Sequence, residues 1–189
     1  WPPPTFGKGT PLSLTLVSPE PELHLDSPAA PSRRPSQLID AFGRTLTYLR
    51  VSVTDRCNLR CLYCLPEHVK FPFGDRDFLS PEEIERMVAA LVRLGIRRVR
   101  LTGGEPLVRK GLAELASGIA AVPGIADLSL STNGTRLALH APALRDAGIN
   151  RLNVSLDSVD AARVREITGR DVLEHVLAGL AAAKAAWPA

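Results

Sequence analysis

The sequence predicts an α/β domain built on a parallel sheet, and three observations carry that reading. Short strand-like apolar segments alternate four times with stretches of helical spacing, at intervals typical of βα units. The first helix has an explicit start signal, and glycines close two of the helices. Every unusual motif of the chain falls where a strand ends, which is where parallel α/β folds keep their functional loops.

Residues 1–36 come first and stand apart from that pattern. They hold nine of the 16 prolines, with serines between them and few large apolar side chains. Such a segment buries too little to offset its ordering entropy, so a disordered Pro-rich tail is expected, with Leu12–Val17 the one stretch that could form a strand. The folded domain is expected over residues 37–189. Leu38–Arg44 reads as a lead-in with a turn at Gly43, and Tyr48–Val53 as the first strand. It runs straight into Cys57, Cys61 and Cys64, the three cysteines of the chain. Glu67–Leu79, with Phe71, Pro72, Phe73 and Gly74, reads as a flap beside that loop.

Ser80-Pro-Glu-Glu83 then opens the first helix: Ser80 caps it, Pro81 takes the first helical position and Glu83 completes a capping box. Ile84, Met87, Val88, Leu91 and Leu94 follow at helical spacing, and Gly95 ends the helix. The second strand is expected at Ile96–Leu101, the second helix at Gly111–Ala121, the third strand at Ile125–Leu130 and the third helix at Leu137–Ala147. Arg151–Leu156 is the fourth strand, and Asp171–Ala186 the last helix, with Val172, Val176, Leu177 and Leu180 on one side.

Composition narrows the function classes. The net charge is +3 and the arginines are interspersed with acidic residues, so no basic block argues for nucleic acid. No apolar run is long enough to span a bilayer, and the amino-terminal part lacks the basic-then-apolar order of a secretory signal. Three cysteines cannot all pair as disulfides, which favours a reducing compartment and a cytoplasmic protein.

The chemistry lies in the strand-end motifs. C-x3-C-x2-C places three thiolates on one short loop, where they could hold three irons of a cuboidal iron–sulfur cluster and leave the fourth iron open. They could equally join His68 in a Cys3His zinc tetrahedron. After the second strand comes Thr102-Gly-Gly-Glu-Pro106, whose glycines let backbone approach a ligand and whose Glu105 offers a carboxylate to an ammonium group. Ser131-Thr-Asn-Gly134 ends the third strand and Asn153-Val-Ser-Leu-Asp157 the fourth. Strand alternation groups Ser155 with Asn153 and Asp157, Arg50 with Ser52 and Thr54, and Arg98 with Arg100. For Arg98 a surface salt bridge is as good a reading as a ligand contact; for Arg50 and Arg100, an anionic substrate is the better one.

Cys57-x3-Cys61-x2-Cys64, with Tyr63 before the third cysteine and Gly103-Gly104-Glu105-Pro106 after the second strand, resembles the radical S-adenosylmethionine superfamily. More narrowly, Ser52-Val-Thr-Asp-Arg-Cys-Asn58, Arg100-Leu-Thr-Gly-Gly-Glu-Pro-Leu107, Ser131-Thr-Asn-Gly134 and Asn153-Val-Ser-Leu-Asp-Ser158 resemble the GTP 3',8-cyclase family of molybdenum cofactor biosynthesis. The resemblance spans about residues 38 to 185.

It implies a partial (β/α)6 barrel, here about four βα units, with a [4Fe-4S] cluster on Cys57, Cys61 and Cys64. S-adenosyl-L-methionine would chelate the open iron, lie against Tyr63, Gly104 and Ser155, and offer its ammonium to Glu105. GTP would meet Arg50, Arg100 and Ser131. A 5'-deoxyadenosyl radical would then start conversion of GTP to 3',8-cyclo-7,8-dihydro-GTP, with an electron donor upstream and cyclic pyranopterin monophosphate synthase downstream. Family members continue well beyond this length and hold a second cluster in their carboxyl-terminal part. The resemblance therefore implies an amino-terminal half that binds a cluster without turning over GTP alone. A peptide-modifying radical enzyme and a non-catalytic zinc module remain as alternatives, and whether subunits pair as a homodimer stays open.

Overall fold

A computed structural model of the chain describes residues 37–64 and 78–188. The Pro-rich stretch with Leu12–Val17, most of the expected flap, and His68 lie outside the described residues.

Four strands form one parallel sheet in sequential order: β1 (Tyr48–Ser52), β2 (Arg98–Thr102), β3 (Asp127–Thr132) and β4 (Arg151–Val154). Between them run α1 (Pro81–Val92), α2 (Leu112–Ala120) and α3 (Leu137–Asp146), and after β4 come α4 (Ala161–Thr168) and α5 (Leu173–Ala186). The capping box at α1 forms as its residues dictate. The Ser80 hydroxyl accepts from the Glu83 amide, and the Glu83 carboxylate accepts from the Ser80 amide at 2.7 Å. At the far end, Gly95 takes a left-handed φ of 103° that releases the chain towards β2.

The sheet has two chemically opposite faces because successive side chains alternate. On one face Val51, Val99, Leu101, Leu128 and Leu130 are buried in a single core with Ile84 and Val88 of α1, Leu115 and Ile119 of α2, and Leu137 and Leu144 of α3. The other face carries almost no apolar side chain. Register aligns Arg50 with Arg100, Arg100 with Ser129, and Ser129 with Arg151 in one row across all four strands. Ser52 and Thr102 form a row one step nearer the carboxyl ends, as do Ser131 and Asn153.

Several boundaries differ from the sequence reading: β1 ends at Ser52 rather than Val53, β2 lies at Arg98–Thr102 rather than Ile96–Leu101, and β3 at Asp127–Thr132 rather than Ile125–Leu130. β4 stops at Val154, although the Ser155 amide still bonds the Thr132 carbonyl at 2.9 Å. Helix α4 is absent from the sequence reading, yet its signals are present: Asp160 caps it by accepting from the Arg163 amide at 2.8 Å, and Gly169 ends it with φ 71°. The last helix accordingly begins at Leu173 rather than Asp171. Among the described residues, no helix is long and apolar enough to cross a membrane.

Candidate functional site

The cysteine loop leaves β1 and is held from four sides. Towards β2, strand pairing continues past the strand ends: the Val53 amide bonds Thr102, the Gly104 amide bonds the Thr54 carbonyl at 2.7 Å, and the Glu105 amide bonds the Arg56 carbonyl at 2.7 Å. This explains the paired glycines differently from the sequence reading. A Cβ on Gly104 would sit 2.5 Å from the Asp55 carbonyl oxygen and overlap that of Arg56, and one on Gly103 would overlap the Thr54 oxygen. In this structure the glycines are required by the approach of the chain to itself.

From β3, the Asn58 side chain donates to Thr135 Oγ1 at 2.9 Å and accepts from Asn133 Nδ2 at 3.0 Å. From the carboxyl end of α4, the carbonyls of Thr168 and Ile167 accept the Arg60 and Leu62 amides, each at 3.0 Å. The unforeseen helix is thus the back wall of the loop. From the end of β4, Asp157 accepts the Tyr63 hydroxyl at 2.8 Å. That bond, with a smaller contribution from partial burial, pushes the Tyr63 phenol up to about 12.

All three cysteines are free thiols, Cys57 and Cys61 half-buried and Cys64 exposed. Burial pushes the Cys57 and Cys61 thiols upward, and the neighbouring thiolates push in the same direction. A bound cation reverses that cost, so the donor set suits a soft metal centre. Among the described residues, no three side chains are yet gathered into a closed metal site. Cys57 is the best supported, since its Sγ accepts from the Leu59 amide at 3.4 Å and from Asn133 Nδ2 at 3.9 Å.

Glu105 is placed differently from what its motif suggested. It is 1% exposed, and its carboxylate accepts from the Leu107 amide at 3.0 Å, Thr132 Oγ1 at 2.7 Å and the Asn133 amide at 2.6 Å. Burial pushes this carboxyl upward, and the three donors oppose the shift without cancelling it. In this conformation the carboxylate ties the end of β3 to the glycine loop and does not face open space.

The polar sheet face brings the remaining expected residues together. Arg50 is exposed, and among the described residues no carboxylate pairs with it. Arg100 is half-buried and steadied by two groups that sequence reasoning missed. Its Nε donates to Ser129 Oγ at 3.4 Å, and its guanidinium lies 5.6 Å from the Tyr48 ring centre. Tyr48 could have been found by strand alternation, because it shares parity with Arg50. Arg98 makes no salt bridge among the described residues; it lies over Tyr48 at 5.9 Å and donates weakly to Thr47. Arg151 is neutralised by Asp127. Ser131 is half-buried in the upper row, while Ser155 and Asp157 are exposed beyond the end of β4.

A parallel strand–helix fold with three free thiols in one clamped loop at the carboxyl ends of its strands defines the class: an α/β protein with a cysteine loop above a polar sheet face. Residues 51–189 match the family model of the Radical SAM superfamily, and the chain belongs to that superfamily. It is 50% identical over 153 residues to a GTP 3',8-cyclase of Erythrobacter litoralis, covering 80% of this chain and 46% of the relative. To a GTP 3',8-cyclase of Mycolicibacterium smegmatis it is 54% identical over 160 residues, covering 84% of this chain and 44% of the relative. The chain thus spans about half the length of the curated relatives it matches. Among solved structures, HydG, a maturase of the [FeFe]-hydrogenase, aligns with a TM-score of 0.60 at 17% identity over 74% of this chain and 32% of its own. A structure of anSMEcpe with bound AdoMet aligns with a TM-score of 0.55 at 22% identity over 74% of this chain and 39% of its own. The fold is therefore the radical SAM fold, comprising four of its parallel strands.

Proposed function

We propose that this chain is the cluster-bearing half of a GTP 3',8-cyclase, which converts GTP to 3',8-cyclo-7,8-dihydro-GTP. One observation carries the reading: the register that sets Arg50 beside Arg100 on the sheet face below the cysteine loop, with no carboxylate paired to either among the described residues. A triphosphate needs fixed positive charge, and two strand-mounted guanidiniums supply it at a defined spacing. The relatives at about half identity are cyclases, which gives the substrate its name.

Cys57, Cys61 and Cys64 would hold a [4Fe-4S] cluster, with a second cluster expected in the part of the relatives that this chain does not span. When bound, the cluster and S-adenosylmethionine would supply the carbon radical that opens the reaction on the ribose. The chain's own residues do the rest. Tyr63, fixed by Asp157, offers a ring face and a backbone edge at the rim of the loop. Gly104 and Ser155 present backbone and hydroxyl groups at neighbouring strand ends, and the same rim excludes water from the reacting centre. Glu105 orders the glycine loop from below. Arg50, Arg100 and Ser131 bind and orient the nucleotide. An electron donor and the next enzyme of the pathway, cyclic pyranopterin monophosphate synthase, are the expected partners.

The test is anaerobic reconstitution with iron and sulfide. A brown protein with a paramagnetic reduced state that changes on adding S-adenosylmethionine is expected, and Cys61→Ser should abolish both. A colourless protein that keeps zinc through dialysis would overturn the assignment.

A further inference from the structure

Asn133 is held more completely than a turn residue requires. Its amide N–H is fixed by Glu105, and its side-chain Oδ1 accepts from the Thr135 amide at 3.0 Å and from Thr135 Oγ1 at 2.7 Å. A backbone N–H can only donate, so this side of the side chain must be the oxygen, and the opposite side must be the NH2. That group donates to Asn58 Oδ1 at 3.0 Å with one hydrogen and points the other at Cys57 Sγ, 3.9 Å away. Asn58 is itself held by Thr135, so the amide cannot turn aside without breaking a closed ring of hydrogen bonds. The carboxylate of Glu105 anchors the ring from the buried side.

We propose that Asn133 sets the reduction potential of the metal centre on the cysteine loop. The inference rests on the proposed iron–sulfur reading and goes beyond it. One electron entering a cluster places more negative charge on its sulfur ligands. A neutral N–H donor aimed at a ligand sulfur stabilises that state over the oxidised one and raises the potential. The Leu59 amide contributes a second donor to the same sulfur, but it belongs to the backbone of the loop and comes with any cysteine placed there. The side chain of Asn133 reaches across from β3 and is the donor that the sequence can change. It is a positioning and tuning group, and it transfers neither atom nor proton.

The test is a redox titration of the anaerobically reconstituted protein with dithionite and mediators, followed by the paramagnetic signal, without S-adenosylmethionine or GTP. The potential is a property of each cluster formed, so partial occupancy does not alter it. Asn133→Ala should lower the reduced-to-oxidised ratio at fixed potential by up to about tenfold, a shift of about 59 mV for one electron. Asn133→Asp puts an acidic oxygen where the donor was and should move the potential at least as far in the same direction. Thr135→Val frees the amide to swing and should shift it the same way by less. If the Asn133 variants fail to hold a cluster, Thr135→Val decides. Variants that take up the cluster and titrate with the wild-type potential would overturn the inference, whereas a wild-type protein that takes up no cluster overturns the assignment on which it rests.

Discussion

Glu105→Gln and Glu105→Ala should separate a structural tie from a ligand. The carboxylate accepts two backbone amides and one hydroxyl in a site closed to solvent. In Glu105→Ala the Leu107 and Asn133 amides lose their acceptor, while the Thr132 hydroxyl can rotate. A buried unsatisfied amide costs about 1–3 kcal/mol, so the pair costs about 2–6 kcal/mol before any cavity is counted. Glutamine keeps one oxygen, and placed on Leu107 and Thr132 it turns its NH2 against the Asn133 amide, donor against donor. That variant should lose about 1–3 kcal/mol. Urea unfolding of the cluster-free chain reads both. Glutamine is expected between wild type and alanine, with m unchanged because the surface exposed on unfolding is the same. Stabilities of both variants within about 0.5 kcal/mol of wild type would refute the tie, since that is the scatter of an ordinary surface substitution.

Four further outcomes follow from the same geometry. The chain has two tyrosines, so spectrophotometric titration can resolve Tyr63. In Asp157→Asn its phenol should fall from about 12 towards the ordinary value near 10, and a phenol that stays high would dissolve the Tyr63–Asp157 bond. A raised phenol also fixes the sign of a pH effect. The folded state keeps the proton while the unfolded chain has lost it, so this contribution to stability declines as pH rises from about 10 to about 12, and Asp157→Asn should remove that decline. Gly104→Ala should cost about 1–3 kcal/mol or more, because the new methyl meets the backbone of Asp55 and Arg56 and not a side chain that can move; a near-wild-type melting temperature would refute that packing. Inorganic triphosphate should raise the melting temperature of the wild type, and Arg100→Ala should weaken its binding by about tenfold or more in calorimetry. Equal binding by wild type and variant would remove Arg100 from the anion site.

The sequence made the fold legible where a local rule acts without help from tertiary contacts. The capping box at Ser80, the glycine stop at Gly95 and the period-two pattern of β1 are such rules, and the parallel sheet follows from their order. Helix α4 escaped because its eight residues, Ala161–Thr168, carry little apolar periodicity and bury only Val164 and Thr168. Its job, presenting two carbonyls to the cysteine loop, is invisible without the loop's position. The site was legible by residue type and less so by role. Cysteines, arginines and glycines announced themselves, but Glu105 and the glycines of its motif looked outward in the sequence and face the protein's own backbone in the structure. Ser129, Tyr48 and Asn133 act through neighbours on other strands, and pairings across strands are set by register, which no single segment encodes.

The charge on the open sheet face has a consequence of its own. In register across adjacent strands, Arg50 and Arg100 bring like charges into neighbouring positions, an arrangement that works against the sheet. Elsewhere on the same face Asp127 offsets the charge of Arg151, and the Tyr48 ring lies 5.9 Å from Arg98 and 5.6 Å from Arg100. A second acidic residue opposite Arg50 would have relieved the repulsion at little cost. The positions that could have supplied one hold Ser52, Thr102 and Ser131, hydroxyls that can donate to an anion and cannot neutralise a cation, and the buried Ser129, whose hydroxyl donates to the Val99 carbonyl. A sheet face on which, among the described residues, no carboxylate offsets Arg50 or Arg100 suits the proposed anion, which comes from outside the chain. Arg100 Nε donates to Ser129 Oγ at 3.4 Å, which leaves the terminal nitrogens of the guanidinium for the proposed anion.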